Sequence, residues 1–245
     1  MDRVRNLEAL IATRHGESMG NVAHKAAQQA PERAIERVDI ADRDADVPLS
    51  ERGRAQAAAL GRRLAALPDE ERPTVVLCSP YLRALDTAEI ALSALGDPPE
   101  LLVDERLRDR EQGVLHGLTE HGIRVRHPEE AERRERIGKF YYRPPGGESW
   151  ADVILRLRSV YNDADLDFPG ERVLVVAHDA VVVLTRYIIE RLTESQVLEI
   201  ESQPVANCSF SRWIRRDGRL RPAEYNDTAH LAEPTAAPER TAAPS

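Results

Sequence analysis

The sequence predicts an α/β protein, a three-layer α/β/α sandwich with a mainly parallel sheet. Short apolar runs such as Leu10-Ile11-Ala12, Val75-Val76-Leu77-Cys78 and Val173-Leu174-Val175-Val176-Ala177 have the unbroken hydrophobicity of strands covered on both faces. Segments with apolar residues at helical spacing alternate with these runs, which places helices on both sides of the sheet. The length of 245 residues and the 42% hydrophobic content suit one large domain with a sizeable core.

In chain order, residues 8–13 read as the first strand. Residues 22–46, rich in Ala, Gln and charge with Pro31, read as an excursion containing a helical piece. A turn at 46–53 leads into a helix with Ala57, Leu60, Leu64 and Leu67 on one face, stopped by Pro68. Residues 74–78 form a central strand. Ser79 is then expected to cap, and Pro80 to begin, a helix that closes at Gly96. A short strand follows at 100–103. Residues 106–147, dense in charge, Gly and His, read as a cap-like insertion with a helix around 129–139. Residues 148–164 are helical, 172–177 form the clearest strand, and 180–192 an apolar helix. Residues 209–215 are expected as an edge strand on which a homodimer would pair. The domain is expected to span 1–231, and the Ala/Pro/Thr-rich stretch 232–245 to be a disordered tail.

Composition excludes several functions. The net charge of −8 argues against a nucleic-acid partner, which demands a basic face. Cys78 and Cys208 are the only cysteines and form no CxxC, so a disulfide framework and a thiolate metal site are excluded. The first residues lack the apolar core of a signal peptide, and no apolar run approaches the ~20 residues of a membrane span. The chain is expected to be cytoplasmic, with no membrane contact.

Three of the apolar runs end in chemistry. The first ends in Arg14-His15, with Gly16 allowing a sharp turn. The second ends in Ser79-Pro80, with Arg83 one turn into the helix, and the third in His178-Asp179. In a parallel sheet these ends share one edge, where ligands of open α/β sheets bind. Two guanidiniums fork onto oxyanions, and helix N-termini add positive dipole. Two cations beside His15 depress its pKa and keep the imidazole neutral and nucleophilic. The partner implied is a small phosphorylated molecule. No cofactor or metal is called for, because Arg and His supply the charge.

These segments carry a resemblance. RHGES with Asn21 at 14–21, DVPLSERGRAQA at 46–57, SPYLRALDTA at 79–88, LRDREQGVLHGLT at 107–119, PPGGES at 144–149 and VLVVAH at 173–178 resemble the histidine phosphatase superfamily in its phosphoglycerate mutase-like branch. The resemblance implies that His15 becomes phosphorylated, that Arg14, Arg83 and His178 hold the phosphoryl oxygens, and that Asn21 adds a further contact. The family's proton-donating Glu is here Asp109, one methylene shorter. Glu111 and Asp179 are alternative acids, the latter because His178-Asp179 resembles the acid-phosphatase branch of the superfamily. Glu148 reads as a helix-start acid, and His116, His121 and His127 as surface histidines. Glu17 and Ser18 are expected at the pocket mouth. In the basic stretch from Arg124 to Arg143, Tyr142 and Arg143 are the residues expected to touch substrate. The resemblance leaves three functions: a phosphomonoesterase, a bisphosphoglycerate-dependent mutase, and a phosphate-binding module without catalysis. The mutase is the weaker match in the cap, because FYYRPPGGES stands where mutases carry a tryptophan and paired arginines.

Overall fold

A computed structural model describes residues 4–29 and 35–232. Its centre is a six-stranded sheet in the order β3-β2-β4-β1-β5-β6. The strands are β1 (Ala9–Arg14), β2 (Val75–Cys78), β3 (Leu101–Val103), β4 (Arg172–Ala177), β5 (Phe210–Arg216) and β6 (Arg219–Asp227). The first four are mutually parallel and the last two antiparallel, so the sheet is mixed.

Alternation along the strands divides the core into two layers. Leu10, Ala12, Leu77, Val173 and Val175 pack with α6 (Trp150–Asp167), α7 (Asp179–Glu190) and α8 (Glu194–Glu201). Ile11, Val76, Cys78, Leu174 and Val176 face the other way, onto α2 (Glu51–Ala65) and α3 (Leu82–Leu92). The three layers foreseen from the alternating runs are therefore present. A further helix, α1 (Met19–Gln29), follows β1, and α4 (Glu120–Arg126) and α5 (Pro128–Ile137) lie between β3 and α6.

Several local expectations need correction. Tyr81, not Ser79, occupies the cap position of α3, because the Ser79 hydroxyl is drawn to Nε2 of His178 at 2.8 Å. The insertion holds two α-helices where one was expected. Pro128 starts the second, and the residue before a proline is disfavoured in helix, so α4 stops short. β5 is an inner strand: it pairs with β1 on one side and β6 on the other. The overlooked signal is Asp217-Gly218, whose φ values of 50° and 69° make the tight turn that returns the chain as β6. Pro222 sits on that edge strand, where a missing donor costs least. A dimer paired along β5 is thereby ruled out. The expected tail falls, apart from Ala232, outside the described residues. No helix among the described residues is long and apolar enough to cross a membrane.

The register carries the site. Arg14 lies opposite Ala177 and Cys78 opposite Val176, so β1, β4 and β2 end level with one another and present His15, His178 and Ser79 at one edge.

Candidate active site

His15 is buried, 3% exposed. Its Nδ1 lies 2.7 Å from the Gly16 carbonyl oxygen. A carbonyl only accepts, so Nδ1 carries the hydrogen and Nε2 keeps its lone pair. Gly16 is held in turn, its N–H donating to Thr87 Oγ1 at 2.9 Å while that hydroxyl donates to the Arg83 carbonyl at 2.6 Å. Burial first, then His178, Arg14 and Arg83, holds the His15 pKa well below the ordinary histidine value. The ring is therefore neutral at pH 7, the form in which an imidazole can act as a nucleophile.

The cations expected around it are present. The rings of His15 and His178 stand edge-on, with centroids 5.3 Å apart. Arg14, Arg83 and His15 line one hollow of about 200 Å³ with Ser18, Asn21 and Asp109. Arg14 donates through Nη1 to the Val205 carbonyl at 2.7 Å, while its buried Nε has no partner. His178 Nδ1 is likewise buried without an aligned hydrogen bond. Arg14 thus keeps an open donor, while His178 Nδ1 faces the Asp109 carboxylate at 3.3 Å. The Asn21 Oδ1 accepts from the Ser18 N–H at 3.1 Å, which leaves Nδ2 as its ligand-facing group.

Asp109 reaches this hollow despite its shorter side chain. Its Oδ2 lies 3.0 Å from Arg83 Nη2 and 3.3 Å from His178 Nδ1. Burial pushes its pKa up, but His178, Arg83 and the Arg110 N–H outweigh that and hold the carboxyl well below the usual range. The loop is placed from α6: Arg156 donates to the Arg106 and Asp109 carbonyls and pairs with Glu148, and the Arg110 Nε donates to the Glu148 carbonyl. Glu148 is thus an anchor of the loop that carries Asp109, beyond the helix-start role expected of it. Ser149 is the cap residue of α6.

The alternative acids separate. Asp179 lines the hollow and accepts from its neighbour's N–H at 2.6 Å. Glu111 turns back on itself, accepting from Gly113 N–H at 3.0 Å, and does not line the hollow. Glu17 is not at the pocket mouth either. Its carboxylate accepts from the Ser50 hydroxyl at 2.8 Å, and its N–H donates to Gln56 Oε1 at 2.8 Å, so it sews the loop after β1 to α2. Arg143 pairs with Asp152 on the surface, because that carboxylate also closes the capping box of α6 and holds the guanidinium there. Tyr142 lines an adjoining chamber of about 370 Å³, but its hydroxyl donates to Glu130 at 2.8 Å and is spent.

Three residues around the hollow were not singled out from the sequence, and His116 joins them there. Asp44 binds Arg83 Nη1 through its carbonyl at 2.6 Å and its carboxylate at 3.1 Å. His24 and His116 line both the hollow and the adjoining chamber, and burial followed by His116 lowers the His24 pKa. Asn207 reaches in from the turn before β5. His24 and Asn207 had no motif to flag them, and Asp44 lay in an excursion without periodicity. His116 is exposed, as expected of a surface histidine, and also lines the hollow. Arg110, Arg134 and Lys139 also line the adjoining chamber. A larger hollow of about 540 Å³, between the end of α7 and the β5–β6 turn, holds none of these groups.

The model of the histidine phosphatase superfamily (branch 1) matches residues 10–228. The chain belongs to this family. A relative, the 2,3-bisphosphoglycerate-dependent phosphoglycerate mutase 2 of Gloeobacter violaceus, is 32% identical over 203 residues, 80% of this chain and 84% of its own. The mycobacterial glucosyl-3-phosphoglycerate phosphatase, solved in complex with VO3, superposes with a TM-score of 0.69 and 25% identity over 90% of this chain and all of its own. Bacillus stearothermophilus YhfR gives a TM-score of 0.70 at 29% identity over 91% of this chain and 99% of its own. Phosphatases and mutases thus share this histidine phosphatase scaffold.

Proposed function

We propose that the protein hydrolyses a small phosphomonoester through a phosphohistidine on His15. The single observation that carries this reading is the tautomer of His15, with Nδ1 tied to the Gly16 carbonyl and Nε2 keeping its lone pair, in a ring that lines one hollow with Arg14 and Arg83 and stands edge-on to His178. Nε2 attacks phosphorus, and the ester oxygen leaves opposite. The Nδ1 hydrogen bond steadies the charge that the ring acquires. The guanidiniums and His178 Nδ1 neutralise the phosphoryl oxygens, where most of the catalytic work of such transfers lies.

Asp109 supplies the leaving proton. In the free protein it is ionised, bridging Arg83 and His178. A phosphoryl dianion takes over those partners and sets a like charge beside the carboxylate. Both changes raise its pKa and favour the protonated acid. After the alcohol leaves, the carboxylate accepts a proton from the water that attacks phosphohistidine.

A mutase is the second reading, favoured by the Gloeobacter relative and by Arg110, Arg134 and Lys139 around the adjoining chamber, which suit a second anionic group. Two assays decide. Metal-free turnover of p-nitrophenyl phosphate, with an acid-labile phosphoprotein that His15→Ala loses along with ~10⁴-fold or more of the rate, supports the phosphatase. Isomerisation of a phosphoglycerate that requires 2,3-bisphosphoglycerate favours the mutase. Binding of phosphate without turnover of either substrate at any pH overturns both in favour of a non-catalytic module.

A further inference from the structure

Asn207 lies in the turn between α8 and β5, outside every motif that carries the family resemblance. Its Nδ2 donates at 2.9 Å to the carbonyl of His15 and at 3.1 Å to Oδ1 of Asn21. Both hydrogens of one amide nitrogen are thereby committed, one to the nucleophile's backbone and one to a side chain of the phosphate hollow.

The consequence for Asn21 is specific. An amide has a donor end and an acceptor end of nearly equal size, and only the donor end suits a phosphoryl oxygen. Two N–H groups, from Ser18 and Asn207, converge on Asn21 Oδ1. Turning the amide over would set Nδ2 hydrogens against both of them. The acceptor end is therefore pinned away from the ligand and the donor end presented to it.

The turn that carries Asn207 is itself braced. Asn226 of β6 accepts from Ala206 N–H at 2.9 Å and donates to the Pro204 carbonyl at 3.1 Å, and Cys208 N–H donates to the Arg14 carbonyl at 2.9 Å. The same turn offers the Val205 carbonyl to Arg14 at 2.7 Å. Antiparallel β5 and β6 thus serve the site at the end of the parallel strands.

We propose that Asn207 is a positioning residue that fixes the donor face of Asn21 toward the phosphoryl group and ties it to the backbone of His15. This rests on the phosphate-binding reading of the hollow, so the test begins there. Calorimetric binding of inorganic phosphate is measured for the wild type, Asn21→Ala, Asn207→Ala and the double variant, with melting curves to establish folding. Wild-type protein that binds no phosphate overturns the reading of the hollow itself. With wild-type binding in hand, Asn207→Ala is expected to weaken phosphate about ten-fold or more, the scale of a hydrogen bond to a charged group. The double variant is expected to lie within about two-fold of Asn21→Ala, because the effect passes through that side chain. With p-nitrophenyl phosphate, KM rises more than kcat falls. Should Asn207→Ala not fold, Asn207→Asp keeps the shape but opposes acceptor to acceptor, and the cycle with Asn21→Ala cancels its added charge. Unchanged affinity, or effects that simply multiply, overturns the proposal.

Discussion

The Asp109 carboxylate meets the Arg83 guanidinium at 3.0 Å, Oδ2 to Nη2, inside the hollow that holds the neutral ring of His15. The other arm of Arg83 is taken by Asp44. The cation expected to grip a phosphoryl group is therefore already paired twice, and a ligand must compete with an internal anion.

Asp109→Asn tests that competition and the proton at once. Removing the charge frees Arg83 and His178, so inorganic phosphate is expected to bind about ten-fold more tightly. Turnover of an alkyl phosphate is expected to fall ~10²–10⁴-fold, the usual contribution of a general acid. p-Nitrophenyl phosphate, whose leaving group needs no proton, falls far less. Equal losses on both esters, read as kcat in parallel assays, remove Asp109 from the role and turn attention to Asp179.

Acid sensitivity follows from the buried ring. The folded pKa of His15 lies well below its ordinary value, so below about pH 6.5 the unfolded chain takes up a proton that the folded one refuses. Stability therefore falls as pH drops, by about 1.4 kcal/mol per pH unit for this group while it lies between its two pKa values. His230, also lowered by burial, adds the same sign. Asp109 acts lower down: its contribution is whole above about pH 4 and is lost as pH falls through its depressed folded value. Urea midpoints from pH 7 to 5 are expected to decline, and to decline less steeply in His15→Asn. A profile equally steep in both proteins contradicts the burial of a neutral His15.

The loop after β1 is seated by two glycines. A Cβ on Gly53 would lie 2.0 Å from the Glu17 carbonyl oxygen, and one on Gly16 2.5 Å from that of Gly53. Gly53→Ala is expected to cost about 3 kcal/mol or more, because backbone meets backbone and neither side yields. A Cβ on Gly96 meets nothing within 4 Å, so Gly96→Ala is expected to be neutral or stabilising by up to about 1 kcal/mol. Denaturant midpoints for the two variants check both signs, and a Gly53→Ala protein as stable as wild type would show that the loop is not held by this approach.

What could be read before folding was whatever short-range pattern records. The apolar runs of β1, β2 and β4 announced buried parallel strands, and each is followed within a few residues by one that lines the hollow. Asp217-Gly218 is the local signal of the hairpin turn between β5 and β6. Glu17 and Arg143 were misjudged because a charged side chain in a motif looks the same whether it faces a ligand, as expected, or Ser50 and Asp152, as found.

By itself the sequence determined the layers, the place of His15 at a strand end and the company of two guanidiniums and a second imidazole. It did so because hydrophobic period and strand-end chemistry are properties of neighbours in the chain. Only the tertiary structure decided that Arg83 is paired by Asp44 and Asp109, that Arg156 and Glu148 hold the loop carrying Asp109, and that Asn207 meets Asn21. Those contacts join residues 26 to 186 positions apart, and their energies depend on burial and angle, which no local pattern encodes.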